Sequence, residues 1–264
     1  GLLDDSKRVI GLMANLLESP ISSIFCNCQV LHFMKKCITD KPSENWIRCL
    51  TNFIVNCDSS FISEATELFD INSTALSIGD DDQVEYSFRL LQLIIGISSS
   101  EVAEVLDYKM VINHLLNLEK HEYLKATLTI ALNYLINFPS ETLEAETKTK
   151  IVSLVTDVSF EIRCLAIECS TINISREMQV PDGFIDGLIV SLDITCPGYL
   201  LLAILKSIAV LIDISSDLSA LNKCFDVLKC INEELPFVIK ESLMQIEEML
   251  AVRGIFEVFQ LPCQ

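Results

Sequence analysis

Glycine and proline are both scarce in this chain of 264 residues, at 8 and 7. Turns of β-rich folds and phosphate-binding loops draw heavily on both, so their shortage points to helices. The glycines never fall in the order G-x-G-x-x-G or G-x-x-x-x-G-K, and no G-x-S-x-G is present. Basic residues are also few, 19 against 37 acidic, for a formal net charge of −18. That balance opposes binding to nucleic acid, which needs Lys and Arg against phosphates. It opposes docking on anionic membrane surfaces for the same reason. Two readings of the acidity stay open: simple solubility, or attraction of a basic partner.

Long apolar runs are missing too. The longest, Tyr199–Ile212, is broken by Lys206, whereas a membrane span needs roughly 20 apolar residues. Membrane insertion is not expected. Gly1–Asp5 has neither the basic start nor the apolar stretch of a secretory leader. The expected compartment is the cytoplasm or the nucleus. The three histidines, His32, His114 and His121, are assigned to separate helices, with a break expected between the last two. Cys26-Asn27-Cys28 with Cys37 is the tightest cysteine group, and it lacks the second pair that a zinc tetrahedron requires. Asp80-Asp81-Asp82 fails the spacing of a calcium loop and suits the positive end of a helix instead. No metal, no cofactor and no enzymatic activity are expected.

What the chain has in quantity is apolar residues, half of the total. They recur in one pattern: an apolar helical stripe, a polar residue in the middle, and a Ser-, Asn- or Asp-rich end. The central positions are Gly11, Asn52, Gln92, Asn133, Ser170, Val210 and Leu250, separated by 37 to 41 residues. In the stretch 123–136, Leu124, Leu128, Ala131, Leu132 and Leu135 recur at three and four, the mark of a buried stripe. Shorter amphipathic stretches lie between, at 111–118 and 151–155. Pro42-Ser43, Pro197-Gly198 and Pro236 mark starts of the long helices, and Ser140 is the expected N-cap of a shorter one. Apolar cysteines such as Cys49, Cys164, Cys169, Cys224 and Cys230 read as small core hydrophobes.

Leu50-Thr51-Asn52-Phe53, and with drift Leu90-Leu91-Gln92-Leu93 and Ala131-Leu132-Asn133-Tyr134, resemble the third-helix core of armadillo repeats. The resemblance to the armadillo/HEAT family covers the whole chain in period and the middle third in motif. It implies an all-α, right-handed α-α superhelix of about six to seven repeats, forming a single domain over 1–264. In peptide-binding members of the importin alpha and beta-catenin type, third-helix asparagines grip an extended peptide in a concave groove. By that resemblance Asn52, Gln92 and Asn133 form one amide ladder, and Asn15, Asn56 and Asn137 a second. The other reading of these amides is that they cap or end the helices. The tryptophan expected four residues before each groove asparagine is absent, with Arg48, Phe88 and Thr129 in its place. Recognition of a conventional nuclear localisation signal is therefore not expected. The function expected is a module or adaptor that binds a protein partner. The alternative is a fixed structural subunit of a larger complex, with Ile255–Leu261 as an apolar docking stretch.

Overall fold

In the computed structural model, residues 2–20, 22–37, 43–68, 78, 84–97, 107–192, 196–215, 218–229 and 236–253 are described. Asp80–Asp82, Cys230 and Ile255–Leu261 lie outside them. The described residues are helical, without a β-strand. None of their helices is long and apolar enough to cross a membrane. They gather into two compact units, residues 1–120 and 121–264.

The first unit holds α1 (Leu2–Leu17), α2 (Ser22–Phe25), α3 (Cys28–Lys36), α4 (Glu44–Asn56), α5 (Ser59–Thr66), α6 (Val84–Ile97) and α7 (Tyr108–Asn117). The long helices pack in chain order, α1 on α4 and α4 on α6. Ser43 caps α4 as its position suggested, its hydroxyl accepting the Trp46 N–H. Trp46 packs near that helix start, fully buried, and its indole N–H donates to the Met34 carbonyl at 3.4 Å. Asn27 and Asp107 cap α3 and α7 in the same way. Helix α4 is buried along most of its length (Ile47, Cys49, Leu50, Phe53 and Ile54), so it is the core of this unit.

The second unit holds α8 (His121–Asn137), α9 (Ala145–Ser153) with a 3-10 turn at Leu154–Thr156, and α10 (Phe160–Glu177). It continues with α11 (Phe184–Ser191), α12 (Gly198–Ile214), a 3-10 turn at Ser219–Leu221, α13 (Asn222–Lys229) and α14 (Phe237–Val252). The long helices begin at His121, Phe160, Gly198 and Phe237, at intervals of 38 or 39 residues. Each packs on the next, α8 on α10, α10 on α12 and α12 on α14. The short helices form a second layer, α9 on α11 and α11 on α13. Such layering follows from the sequence: one helix pair cannot bury its apolar stripe alone, and its neighbours complete the core. Pro197 and Pro236 stand at the N-cap positions of α12 and α14, where their missing N–H costs nothing. Helix α11 meets the 3-10 turn after α9 closely at Gly187, where an added Cβ would sit 2.9 Å from the Val155 methyl.

Two expectations need correction. The helix after Pro139 does not begin at Ser140. Residues 139 and 140 form a turn, and α9 starts at Ala145 with Glu144 at the cap position. Leu132 is not a buried anchor, and Leu124 is only partly buried too. Helix α8 is rotated so that Thr127, Leu128, Ile130, Ala131, Tyr134 and Leu135 face inward. The core register there is 128, 131, 135, and Leu132 lies on its outer flank. Replacing Leu135 with Ala should therefore cost roughly 2–5 kcal/mol, and Leu132→Ala distinctly less, in denaturant unfolding.

Candidate functional site

The residues singled out for partner binding all stand on long helices, but in unlike surroundings. Asn52 is 4% exposed, and its amide donates to Glu18 Oε1 at 3.1 Å. Glu18 also receives the Arg48 guanidinium, which reaches Asn15 Oδ1 at 2.8 Å as well. Arg48, in the position where a groove tryptophan would stand, is thus spent on tying α4 to the end of α1. Its hydrogen bond, seconded by Asn52, holds the Glu18 carboxyl below its ordinary value of 4.5, against a smaller opposing effect of burial. Asn56, one turn on, donates to the Leu17 carbonyl at 3.2 Å and to its own Asn52 carbonyl at 2.8 Å. Its Oδ1 accepts the Ser22 hydroxyl at 3.1 Å. Asn56 therefore satisfies a carbonyl at the end of α1 that has no partner within the helix, while Asn52 holds the Glu18 carboxylate just beyond it.

Gln92 and Asn133 differ from that pair. Both are only partly buried, on α6 and α8 respectively. Asn137 is exposed at the end of α8. The first and second rungs of the expected ladder belong to one unit and the third to the other.

In the second unit the stitching recurs with other residues. Asn173 on α10 is 3% exposed; its Oδ1 accepts the Leu143 N–H at 3.0 Å, and its amide donates to the Cys169 carbonyl. Arg176, one turn on, donates to the carbonyls of Leu135, Phe138 and Glu141 at the end of α8. Burial pulls its pKa down, against a smaller opposing effect of Tyr134. Beside it, Lys148 grips both oxygens of Glu177 at 2.7 and 2.6 Å and holds that carboxyl below its usual range. Arg253 repeats the device at the end of α14, donating to the Asp213 and Ser215 carbonyls of α12. The 37-to-41-residue spacing puts a central position at Ser170, which carries no amide. The amide is Asn173, 40 residues after Asn133, and that spacing was the signal that could have found it.

One side of the long-helix layer in this unit stays partly open. Lys125 of α8 pairs there with Glu161 of α10, both well exposed. One helical stripe on from each lie Thr129, Leu132 and Ile136, and Leu165, Glu168 and Ile172. Apart from Ile136, 57% exposed, these residues are half-buried, with Asn133 beside Leu132.

The histidines do not gather. His32 is on α3 and His114 on α7, which ends before Glu119 takes a left-handed backbone (φ 51°) and α8 opens at His121. His121 Nε2 lies 3.1 Å from Asp157, whose carboxylate also accepts the Ser159 N–H at the entry to α10. Among the described residues no three His, Cys, Asp or Glu side chains come together as a metal cage. The described cysteines are free thiols. Burial pushes Cys49 up to about 12 and Cys224 to about 11, so both stay protonated at neutral pH.

Comparison with known proteins finds no matching family, no related curated sequence and no similar solved structure.

Two outcomes follow from this bonding. Glu18 has a folded pKa below its unfolded one, so its contribution is present well above pH 4.5 and lost as the pH falls through the folded value. The difference in melting temperature between the wild type and Glu18→Gln should be largest at neutral pH and should shrink below pH 4.5. Arg176→Leu removes the side-chain donor of the Leu135 and Glu141 carbonyls, while the Phe138 carbonyl keeps the Glu141 N–H, and should cost about 1–3 kcal/mol, measured by denaturant unfolding.

Proposed function

We propose that the chain is an armadillo/HEAT-type helical-repeat solenoid that acts as a protein-interaction module or adaptor. Its partner lies along the exposed side of the long helices, with Gln92 in the first unit and Asn133 in the second each offering, within its own unit, an amide to the partner's backbone. The observation that carries this reading is the half-open apolar side of α8 and α10, through Leu132, Ile136, Leu165 and Ile172 around Asn133. An amide set in apolar surroundings offers one acceptor and two donors, which is what a peptide unit needs. The net charge of −18 favours a basic segment over an acidic one. The proposed setting is the cytoplasm or nucleus, with neither nucleic acid nor membrane as the partner and no catalytic role.

A second reading is favoured by the internal commitments of Asn52 and Asn56. If the other amides serve the same end, the chain is a fixed subunit of a larger assembly, and its ladder is structural throughout. Asn133→Ala and Asn52→Ala separate the two. The adaptor reading expects Asn133→Ala to weaken partner capture from native extract about tenfold while leaving the melting temperature nearly unchanged. It expects Asn52→Ala to lower the melting temperature instead. Capture that survives high salt and ignores Asn133→Ala would support the fixed subunit.

A further inference from the structure

The last described long helix, α14, buries one stripe against α12 and turns the opposite stripe to solvent. Ile239, Leu243, Ile246 and Leu250 make the buried side. On the opposite side lie Phe237, Glu241, Met244, Glu248 and Val252, which a helical projection gathers within about 80° of arc. The three apolar members are 75%, 45% and 89% exposed. A helix face that meets water is ordinarily polar. This one shows a ridge of apolar side chains about 22 Å long, at the ordinary helical rise. The only charges on the ridge are the carboxylates of Glu241 and Glu248, two turns apart on either side of Met244, and both exposed. Arg253, at the helix end, is engaged with the Asp213 and Ser215 carbonyls and does not neutralise them.

We propose that this face of α14 is a docking surface for an amphipathic helix of a partner protein that carries Lys or Arg beside its apolar stripe. Residues at three- and four-residue spacing present ridges and grooves that a helix fills, as α12 already does on the other side. The two carboxylates select the occupant. A basic residue at each end of a two-turn stripe meets Glu241 and Glu248, whereas an acidic helix meets like charge. A second copy of this chain is disfavoured on the same ground. Twofold antiparallel pairing of α14 would bring Glu241 of each copy opposite Glu248 of the other. The proposal does not rest on the open side of α8 and α10.

The test uses the full chain and two synthetic 18-residue peptides, read by fluorescence anisotropy. Both carry leucines at three- and four-residue spacing; one has lysines flanking the stripe at seven-residue spacing, the other glutamates. The lysine peptide should bind at least about tenfold more tightly than the glutamate peptide. Glu241→Lys/Glu248→Lys should invert that preference, and Met244→Lys should abolish binding of the lysine peptide. Glu122→Lys/Asp182→Lys, the same change of charge placed elsewhere, should leave it within about twofold. Equal loss in that control pair would reduce the effect to net charge and overturn the proposal. So would indifference to Met244→Lys. A dimer in sedimentation that Met244→Lys dissociates would assign the face to a second copy and overturn it as well.

Discussion

A helix ends with carbonyls that no residue of its own can satisfy, and a stack of helices multiplies such ends. At the ends of α1, α8 and α12 the next long helix supplies missing donors. Asn56 reaches back 39 residues to Leu17, Arg176 reaches 41 to Leu135, and Arg253 reaches 40 to Asp213. Each bond joins neighbours in the stack, so it sets their relative rotation as well as closing a helix end. Apolar burial supplies the bulk of the attraction, at roughly 1.5–3 kcal/mol for each large side chain. The hydrogen bonds add a directional constraint that apolar contact lacks.

The acidic residues are divided by that same logic. Glu18 and Glu177 are held by Arg48 and Lys148 at helix ends. Glu241 and Glu248 stand exposed beside apolar surface and make no ion pair among the described residues. An exposed ion pair such as Lys125 with Glu161 adds little to stability. What matters for recognition is where charge is left uncompensated beside apolar surface.

The long helices were legible in the sequence because their spacing depends only on the length of a repeat. Every central position, from Gly11 to Leu250, falls within a long helix. Ser43, Pro197 and Pro236 marked helix starts because capping is local chemistry. The fine rotation was not legible. Leu132 and Leu135 are equivalent in composition, and only the partner helices decide that Leu135 is buried and Leu132 is not. The amides posed the same difficulty. A repeat of Asn and Gln at 40 residues looks uniform, yet Asn52 meets Glu18, Asn173 meets Leu143, and Gln92 and Asn133 keep some exposure. Arg176 and Arg253 were passed over because nothing in a lone arginine reveals that it will face backbone carbonyls.

The long reach of Arg176 restricts how this chain can change in length. A residue gained in the turn at 138–144 shifts nothing within α10, and loop closure tolerates such additions at small cost. A residue gained inside α10 ahead of Arg176 swings that side chain through about 100° and off the end of α8. Drift in length is therefore open to the connections and closed to the long helices. The change that suits those helices is a whole interval of 38 or 39 residues, which leaves the rotation of each helix on its neighbour intact.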